Sequence, residues 1–334
     1  MKFRTSSQSH RTPARGRRAF ARRFAFALVA PLALALGAGS AQAYPDGPVT
    51  IVVAWPAGGA TDLMARAAQD SFNKAIGGTS IIKNVVGAAG TIGAAEVAAA
   101  KPDGQSLLFS PIGPMVIQPQ RMKLTYNPDS FEPICKISDV TVVLMSPPNS
   151  RFKTVADVIK EARAQDGKLP FASTGAGTIP HMAGIGFQEA AKVKLKHIPF
   201  KGSAAVIQAM LAGTVELFSD QPNLVGRYNM TPIAVYSANR LPEFKDTPTM
   251  KEAGFDLQFS IWNGLFAPKG TPEPVLAKLE AACKTTMTSP AVVDLFAKQA
   301  QPIHYLDRKG MRAFVTSEYK KATGLLEAAG LESK

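Results

Sequence analysis

Cysteine is nearly absent from this chain: its 334 residues hold two, Cys135 and Cys283. No C-x-x-C occurs, which excludes a dithiol redox centre or zinc ribbon of the usual spacing. Beyond residue 43 the histidines are only His181, His197 and His304. None has a second histidine or cysteine three or four residues away, so neither a metal site nor a cofactor is expected. H-E-x-x-H and G-x-S-x-G are both missing, so a secreted enzyme has no familiar nucleophile, base or metal motif to stand on. Gly87, Gly90 and Gly93 are spaced G-x-x-G-x-x-G rather than G-x-G-x-x-G. No acidic residue closes a suitable following strand, which argues against a dinucleotide site.

Acidic residues are missing from positions 1–43, which carry eight Lys or Arg. The remainder holds 30 basic and 25 acidic residues, a net of +5 against +13 for the whole chain. The basic excess therefore belongs mainly to a leader, and no nucleic-acid surface is expected. Residues 24–38 are apolar but too short for an ordinary membrane span. Ala41-Gln42-Ala43 follows as an A-x-A cleavage site, so residues 1–43 read as a secretory signal peptide and the mature chain as starting at Tyr44. Arg17-Arg18 also fits a twin-arginine signal; the ordinary secretory route is the preferred reading. The absence of cysteine at the cleavage site argues against a lipid anchor, and the product is expected to be soluble. An oxidising compartment permits a Cys135–Cys283 disulfide. Two separate buried thiols are the preferred reading, because sequence does not set their distance.

Residues 50–54 are a β-branched apolar run, read as a buried strand. Trp55-Pro56 ends it, Ala57-Gly58-Gly59-Ala60 leaves the backbone open to close approach, and Thr61-Asp62 starts a helix carrying Met64, Ala68, Phe72 and Ile76 on one stripe. A Gly-rich turn at a helix N-terminus offers N–H groups and a positive dipole end to an anion. The pattern recurs at residues 87–91 and 174–178, each between a strand and a helix, and Lys201-Gly202-Ser203 leads into another helix. Alternating strands and helices predict parallel βαβ units, whose ligands sit at the carboxyl ends of strands. Residues 111–133 read as an irregular surface excursion, residues 140–145 as one strand, Pro147-Pro148-Asn149 as the first crossing into a second lobe, and residues 248–253 as a short helix. Thr154 with Asp157 predicts a capped helix start. The whole reads as a clamshell: lobe 1 from residues 44–145 and 262–334, lobe 2 from 146–261, with Gly-rich loops facing across a cleft.

Eight motifs occur in order: Tyr44-Pro45, VAWPAGGATDLMAR (53–66), NVVGAAGTIGA (84–94), KPDGQSLLF (101–109), TGAGTIPH (174–181), HIPFKGS (197–203), DTPTMKEAG (246–254) and WNGLFAPKGTP (262–272). Together they strongly resemble the extracytoplasmic solute-binding receptors of tripartite tricarboxylate transporters, the TctC or Bug family. The resemblance spans essentially the whole mature chain. It implies a two-lobed α/β fold of the type II periplasmic-binding-protein kind (a Venus flytrap). It implies a periplasmic receptor, not an enzyme, that captures a small carboxylate such as a dicarboxylate or aromatic acid. The receptor would act as a monomer and deliver the solute to the transporter's membrane subunits. A ligand-presenting partner of a two-component sensor is the alternative, with a secreted enzyme behind it.

The resemblance also implies site residues. Trp55, Ala57, Gly58, Gly59 and Asp62 belong to the first loop, and Gly87, Ala88, Ala89, Gly90 and Thr91 to the second. Thr174, Gly175, Ala176, Gly177, Thr178 and His181 form the facing loop, with Lys201, Gly202, Asp220 and Gln221 nearby. The carboxylate would be held mainly by backbone N–H groups and water rather than by an arginine. Three departures from the family pattern bear on pocket size: Trp55 where Phe is common, a second loop thinned to Gly87-Ala88-Ala89-Gly90, and Gln221 where Asn is common. Asp62 and Asp220 read either as helix caps or as ligand contacts. His181 reads as a contact or a structural hydrogen-bonding residue, Lys201 as a solvated charge, and Trp55 as a pocket wall.

Overall fold

The computed structural model describes Gln8, residues 44–328 and Leu331. The expected leader, residues 1–43, therefore lies outside the described residues apart from Gln8. The first strand, β1 (Val49–Val53), is buried on both faces, as its unbroken apolar run requires. Helix α1 (Ala60–Ile76) follows and buries Met64, Ala68, Phe72 and Ile76 along the expected stripe. Gly77, left-handed at φ 69°, ends it by donating to the Asn73 carbonyl. Edge strand β2 (Ser80–Asn84), helix α2 (Thr91–Ala98) and strand β3 (Ser106–Pro111) continue the alternation.

The first sheet is completed by β4 (Phe131–Thr141), β10 (Ser260–Pro268) and β11 (Ile303–Leu306), in the order β11-β4-β10-β3-β1-β2. Only β1–β2 and β1–β3 run parallel in it; β10 is antiparallel to β3 and β4. Helices α7 (Glu273–Thr288), α8 (Pro290–Lys298) and α9 (Arg308–Ala328) come from the C-terminal part of the chain. The second sheet takes β5 (Val143–Ser146), β6 (Pro170–Ser173), β7 (Lys196–Pro199), β8 (Leu217–Asp220) and β9 (Thr231–Val235), in the order β7-β6-β8-β5-β9. Its helices are α3 (Val155–Gln165), α4 (Ile179–Ala191), α5 (Ser203–Leu211) and α6 (Asn223–Tyr228). At α3, Thr154 Oγ1 accepts from the Asp157 N–H while Asp157 accepts from the Thr154 N–H, the expected reciprocal cap. The result is a two-lobed α/β fold.

Four expectations are corrected. The sheets are mixed: β10 and β11 run against the other strands of the first, and β5 runs against those of the second. Residues 140–145 are not one strand: β4 ends at Thr141 in the first sheet and β5 begins at Val143 in the second. The crossing thus falls at Val142, ahead of the proline pair. Residues 111–121 are not a surface excursion. Met115, Val116 and Ile117 are buried in a helical segment, Gly113–Ile117, that runs into a short helix, Gln118–Arg121. Pro114 sits in the first turn of this run, where a missing N–H costs nothing, and Pro119 lies within it. Residues 248–253 form turns rather than a helix, held by a Val235–Thr249 bridge.

Cys135 on β4 and Cys283 on α7 are bonded, with Cα atoms 6.6 Å apart, so the reading of two separate thiols is also corrected. Helix α7 packs across β4 and brings the two together. The two crossings lie side by side: Val142 N–H donates to the Phe259 carbonyl at 3.0 Å, and Tyr236 N–H to the Val142 carbonyl at 2.9 Å.

Candidate functional site

At the carboxyl end of β1, Trp55 and Pro56 turn the chain into the N-terminus of α1. Gly59 caps that helix with extended backbone and no side chain. Asp62 is buried and fully used. It accepts from Gly58 N–H (2.8 Å), Asn84 Nδ2 (2.9 Å) and Arg66 Nε (2.9 Å). Asn84 also donates to the Trp55 carbonyl at 2.8 Å. Burial raises the Asp62 pKa, but the bonds from Arg66, Asn84 and Gly58 outweigh it, leaving a net lowering. Asp62 thus braces the loop against β2.

The second loop carries backbone strain. Gly87 (φ 134°) and Gly90 (φ 87°) flank Ala88 (φ 44°) and Ala89 (φ 54°), two alanines in the left-handed region. That conformation costs an L-residue about 1–2 kcal/mol. A Cβ on Gly90 would meet Pro114 Cγ at 2.6 Å. Relieving the strain by Ala89→Gly should stabilise the fold by about 0.5–1 kcal/mol, the gain being reduced by the entropy of glycine. Chemical denaturation measures this; a loss of stability would mean that the Ala89 methyl packs productively.

From the second lobe, Thr178 Oγ1 donates to the Gly175 carbonyl (2.8 Å), and Gly177 N–H donates to His181 Nδ1 (3.0 Å). The His181 ring stacks on His197 at 3.9 Å between centroids, and His197 Nε2 bonds Ser173 Oγ at 2.7 Å. His181 therefore holds the facing loop as a neutral acceptor. Burial, with repulsion from His197 and Arg121, pushes its pKa down to about 4 from 6.5. A base with a lowered folded-state pKa stabilises the fold above its unfolded value, and loses that contribution as pH falls from 6.5 towards 4. Allowing for its partial exposure, the loss should be about 1 kcal/mol, visible as an acid-limb difference between the wild type and His181→Gln. An NMR titration placing His181 near 6.5 would overturn this.

Asp220, at the end of β8, behaves in the opposite sense. It accepts from Ser203 Oγ (2.6 Å) and from Gln221 N–H (2.9 Å), yet burial dominates and raises its pKa to about 6. An acid so shifted weakens the fold above about pH 6, and the penalty fades as pH falls towards its ordinary 3.8.

The loops of the two sheets meet. Tyr228 OH donates to the Gly58 carbonyl (2.6 Å) and Asn223 Nδ2 to the Ala60 carbonyl (3.1 Å). Arg121 Nη1 donates to the Ala176 carbonyl (2.8 Å). Gly202 (φ 108°) lies against Pro56, where a Cβ would come 2.5 Å from Cδ. Two spaces lie between these loops. An outer groove of about 410 Å³ is lined by Trp55, Gly87, Ala88, Ala89, Gly90, Gln118, Arg121, Thr174, Gly175, Ala176 and Lys201, among others. An inner cavity of about 30 Å³ is lined by Trp55, Thr61, Gly113, Thr174, Thr178, Ser203, Asp220, Gln221 and Ile261, among others. Trp55 and Thr174 border both.

The anticipated residues thus divide. Trp55, Gly87, Ala88, Ala89, Gly90, Thr174, Gly175, Ala176, Thr178, Lys201, Asp220 and Gln221 line the cleft. Ala57 is exposed and lines neither space. Gly58, Gly59, Asp62, Thr91, Gly177, His181 and Gly202 shape the loops from behind; Thr91 Oγ1, for instance, donates to the Ala88 carbonyl at 2.9 Å. Sequence reasoning missed Thr61, Ser203, Gln118 and Arg121. Thr61 and Ser203 stand inside motifs already singled out. Gln118 and Arg121 belong to the segment misread as surface. Arg121 donates to Gln118 Oε1 (2.9 Å) and to Ala176; among the described residues no carboxylate pairs with it, and its Nε is buried without a partner.

A two-lobed α/β fold with Gly-rich loops converging on an interlobe cleft defines a solute-binding protein. The model of the tripartite tricarboxylate transporter family receptor matches residues 64–331, and the chain belongs to that family, one of solute-binding receptors. It is 33% identical over 280 residues to a UPF0065 protein from the tcbD-tcbE intergenic region of Pseudomonas sp. strain P51, covering 80% of this chain and 83% of that one. Among solved structures it resembles the periplasmic binding protein BugD (TM-score 0.82, 30% identity, 87% of this chain and all of that one). It also resembles MatC from Rhodopseudomonas palustris with bound malate (TM-score 0.79, 28% identity, 85% of this chain and all of that one). Among the described residues no helix is long and apolar enough to cross a membrane, and no group of residues is placed to hold a metal ion.

Proposed function

We propose that this protein is a periplasmic receptor that captures a small carboxylate in the interlobe cleft and delivers it to the membrane subunits of a tripartite tricarboxylate-type transporter. The observation that carries this reading is the outer groove. Two Gly-rich loops, the second of them strained at Ala88 and Ala89, line it beside a guanidinium, Arg121, with which no carboxylate pairs among the described residues. Arg121 adds a charged donor to the backbone recognition expected from the family resemblance. Its bond to the Ala176 carbonyl also ties the lobes, so solute binding and closure would share one side chain. The malate in the MatC structure supports a carboxylate as the class of ligand.

A thermal-shift screen of mono-, di- and tricarboxylates, aromatic acids included, tests the reading; stabilisation by none of them would sink it. Arg121→Met should weaken the best carboxylate at least about tenfold, the scale of losing one charge-assisted hydrogen bond in a shielded site. Calorimetric titration of the variant measures this, and unchanged affinity would remove Arg121 from the site.

A further inference from the structure

We propose that the inner cavity reads a hydrogen-bond donor on the solute, with Asp220 and Gln221 accepting from a hydroxyl or ammonium group carried next to the carboxylate. The inference rests on the carboxylate reading above and narrows it to 2-hydroxy and 2-amino acids.

Three observations support it. The first is size. At about 30 Å³ the inner cavity has room for a group of water size, whereas the adjoining groove of about 410 Å³ has room for the body of a small acid. The second is charge. Asp220 is the one charged side chain lining the inner cavity, and no ion pair satisfies it among the described residues. Each of its oxygens accepts a single hydrogen bond, which leaves acceptor capacity on both. A second carboxylate placed here would meet like charge, whereas a donor would not. The third is an orphaned acceptor. Gln221 is 2% exposed and its Oε1 has no partner. Trp55 Nε1, also buried and without a partner, belongs to the wall shared with the outer groove, where it can serve a carboxylate oxygen. The two spaces thus differ in charge: Arg121 and Lys201 line the outer groove, and Asp220 lines the inner cavity.

The test is calorimetric titration of the whole mature chain with matched sets: propionate, lactate and alanine; succinate, malate and aspartate; glutarate, 2-hydroxyglutarate and glutamate. In the set that binds best, the hydroxy or amino member should bind at least about tenfold more tightly than the unsubstituted acid, which leaves the buried acceptors unpaired. Gln221→Leu should narrow that ratio to a few-fold, with a thermal unfolding midpoint close to the wild type reporting a folded chain. Asp220→Asn keeps an acceptor oxygen but no charge, so it should reduce the preference for the amino acid more than that for the hydroxy acid. Equal affinity across a set in the wild type, or a ratio unchanged in both variants, overturns the inference while leaving the carboxylate reading intact. Failure of every acid in these sets to bind overturns the inference, and the carboxylate reading falls with it when the wider thermal-shift screen, tricarboxylates and aromatic acids included, is blank as well.

Discussion

Removing the Cys135–Cys283 bond should cost about 4–5 kcal/mol of unfolding free energy, the scale expected from the loop that it closes. The two cysteines are 148 residues apart, and the loop contains the whole of the second sheet. The bond therefore restricts the unfolded chain far more than a local crosslink would. Both side chains are buried, so a double change to alanine removes only two small sulfur atoms from the packing. Guanidinium unfolding of C135A/C283A against the oxidised wild type measures the difference. A loss under about 1 kcal/mol would mean that native-state distortion cancels the constraint.

Gly184→Val is expected to be nearly as damaging, at about 3 kcal/mol or more. Helix α4 lies with Gly184 flat on the Phe171 ring of β6, and a Cβ there would overlap the ring. Phe171 is 2% exposed and has nowhere to move. Pushing α4 off the sheet would also displace its N-terminal turn, where Ile179 and Pro180 line the inner cavity, so solute affinity should fall with stability. Gly226→Ala is the matched control. That helical glycine has nothing within 4 Å of a built Cβ, so the change should be neutral or stabilising by up to about 1 kcal/mol. Equal effects at the two positions would show that packing against Phe171 is not the cause.

Much of this molecule can be read in its residues, for reasons that differ by element. The β1 run, the α1 stripe and the Thr154–Asp157 cap are local patterns, and local patterns survive into the structure. The Gly-rich loops were legible because small residues between a strand and a helix leave few alternatives. What failed was non-local. Residues 140–145 have the composition of one strand, but hydrogen-bond partners decide where a strand ends, and those partners lie near residue 260 for β4 and residue 220 for β5. Residues 111–121 contain prolines that usually signal a surface loop. Here they sit in a helical run whose burial is set by the apolar Met115, Val116 and Ile117. Misplacing that segment hid Arg121, which reaches the cleft from outside every Gly-rich motif. The disulfide was undecidable for the same reason, since the packing of α7 on β4 has no signature in either segment.

The position of β10 has a consequence for how the chain is made. It occupies the slot between β3 and β4, and everything from β5 to β9 precedes it in the chain. A chain emerging from its N-terminus exposes the edge of β3 and leaves β4, whose partners are β10 and β11, without a strand to pair with, for as long as the whole second sheet takes to appear. The β3 edge stays unprotected until β10 arrives and joins it to β4. An intermediate stalled at that stage would present a strand-shaped vacancy, open to any extended segment that reached it first.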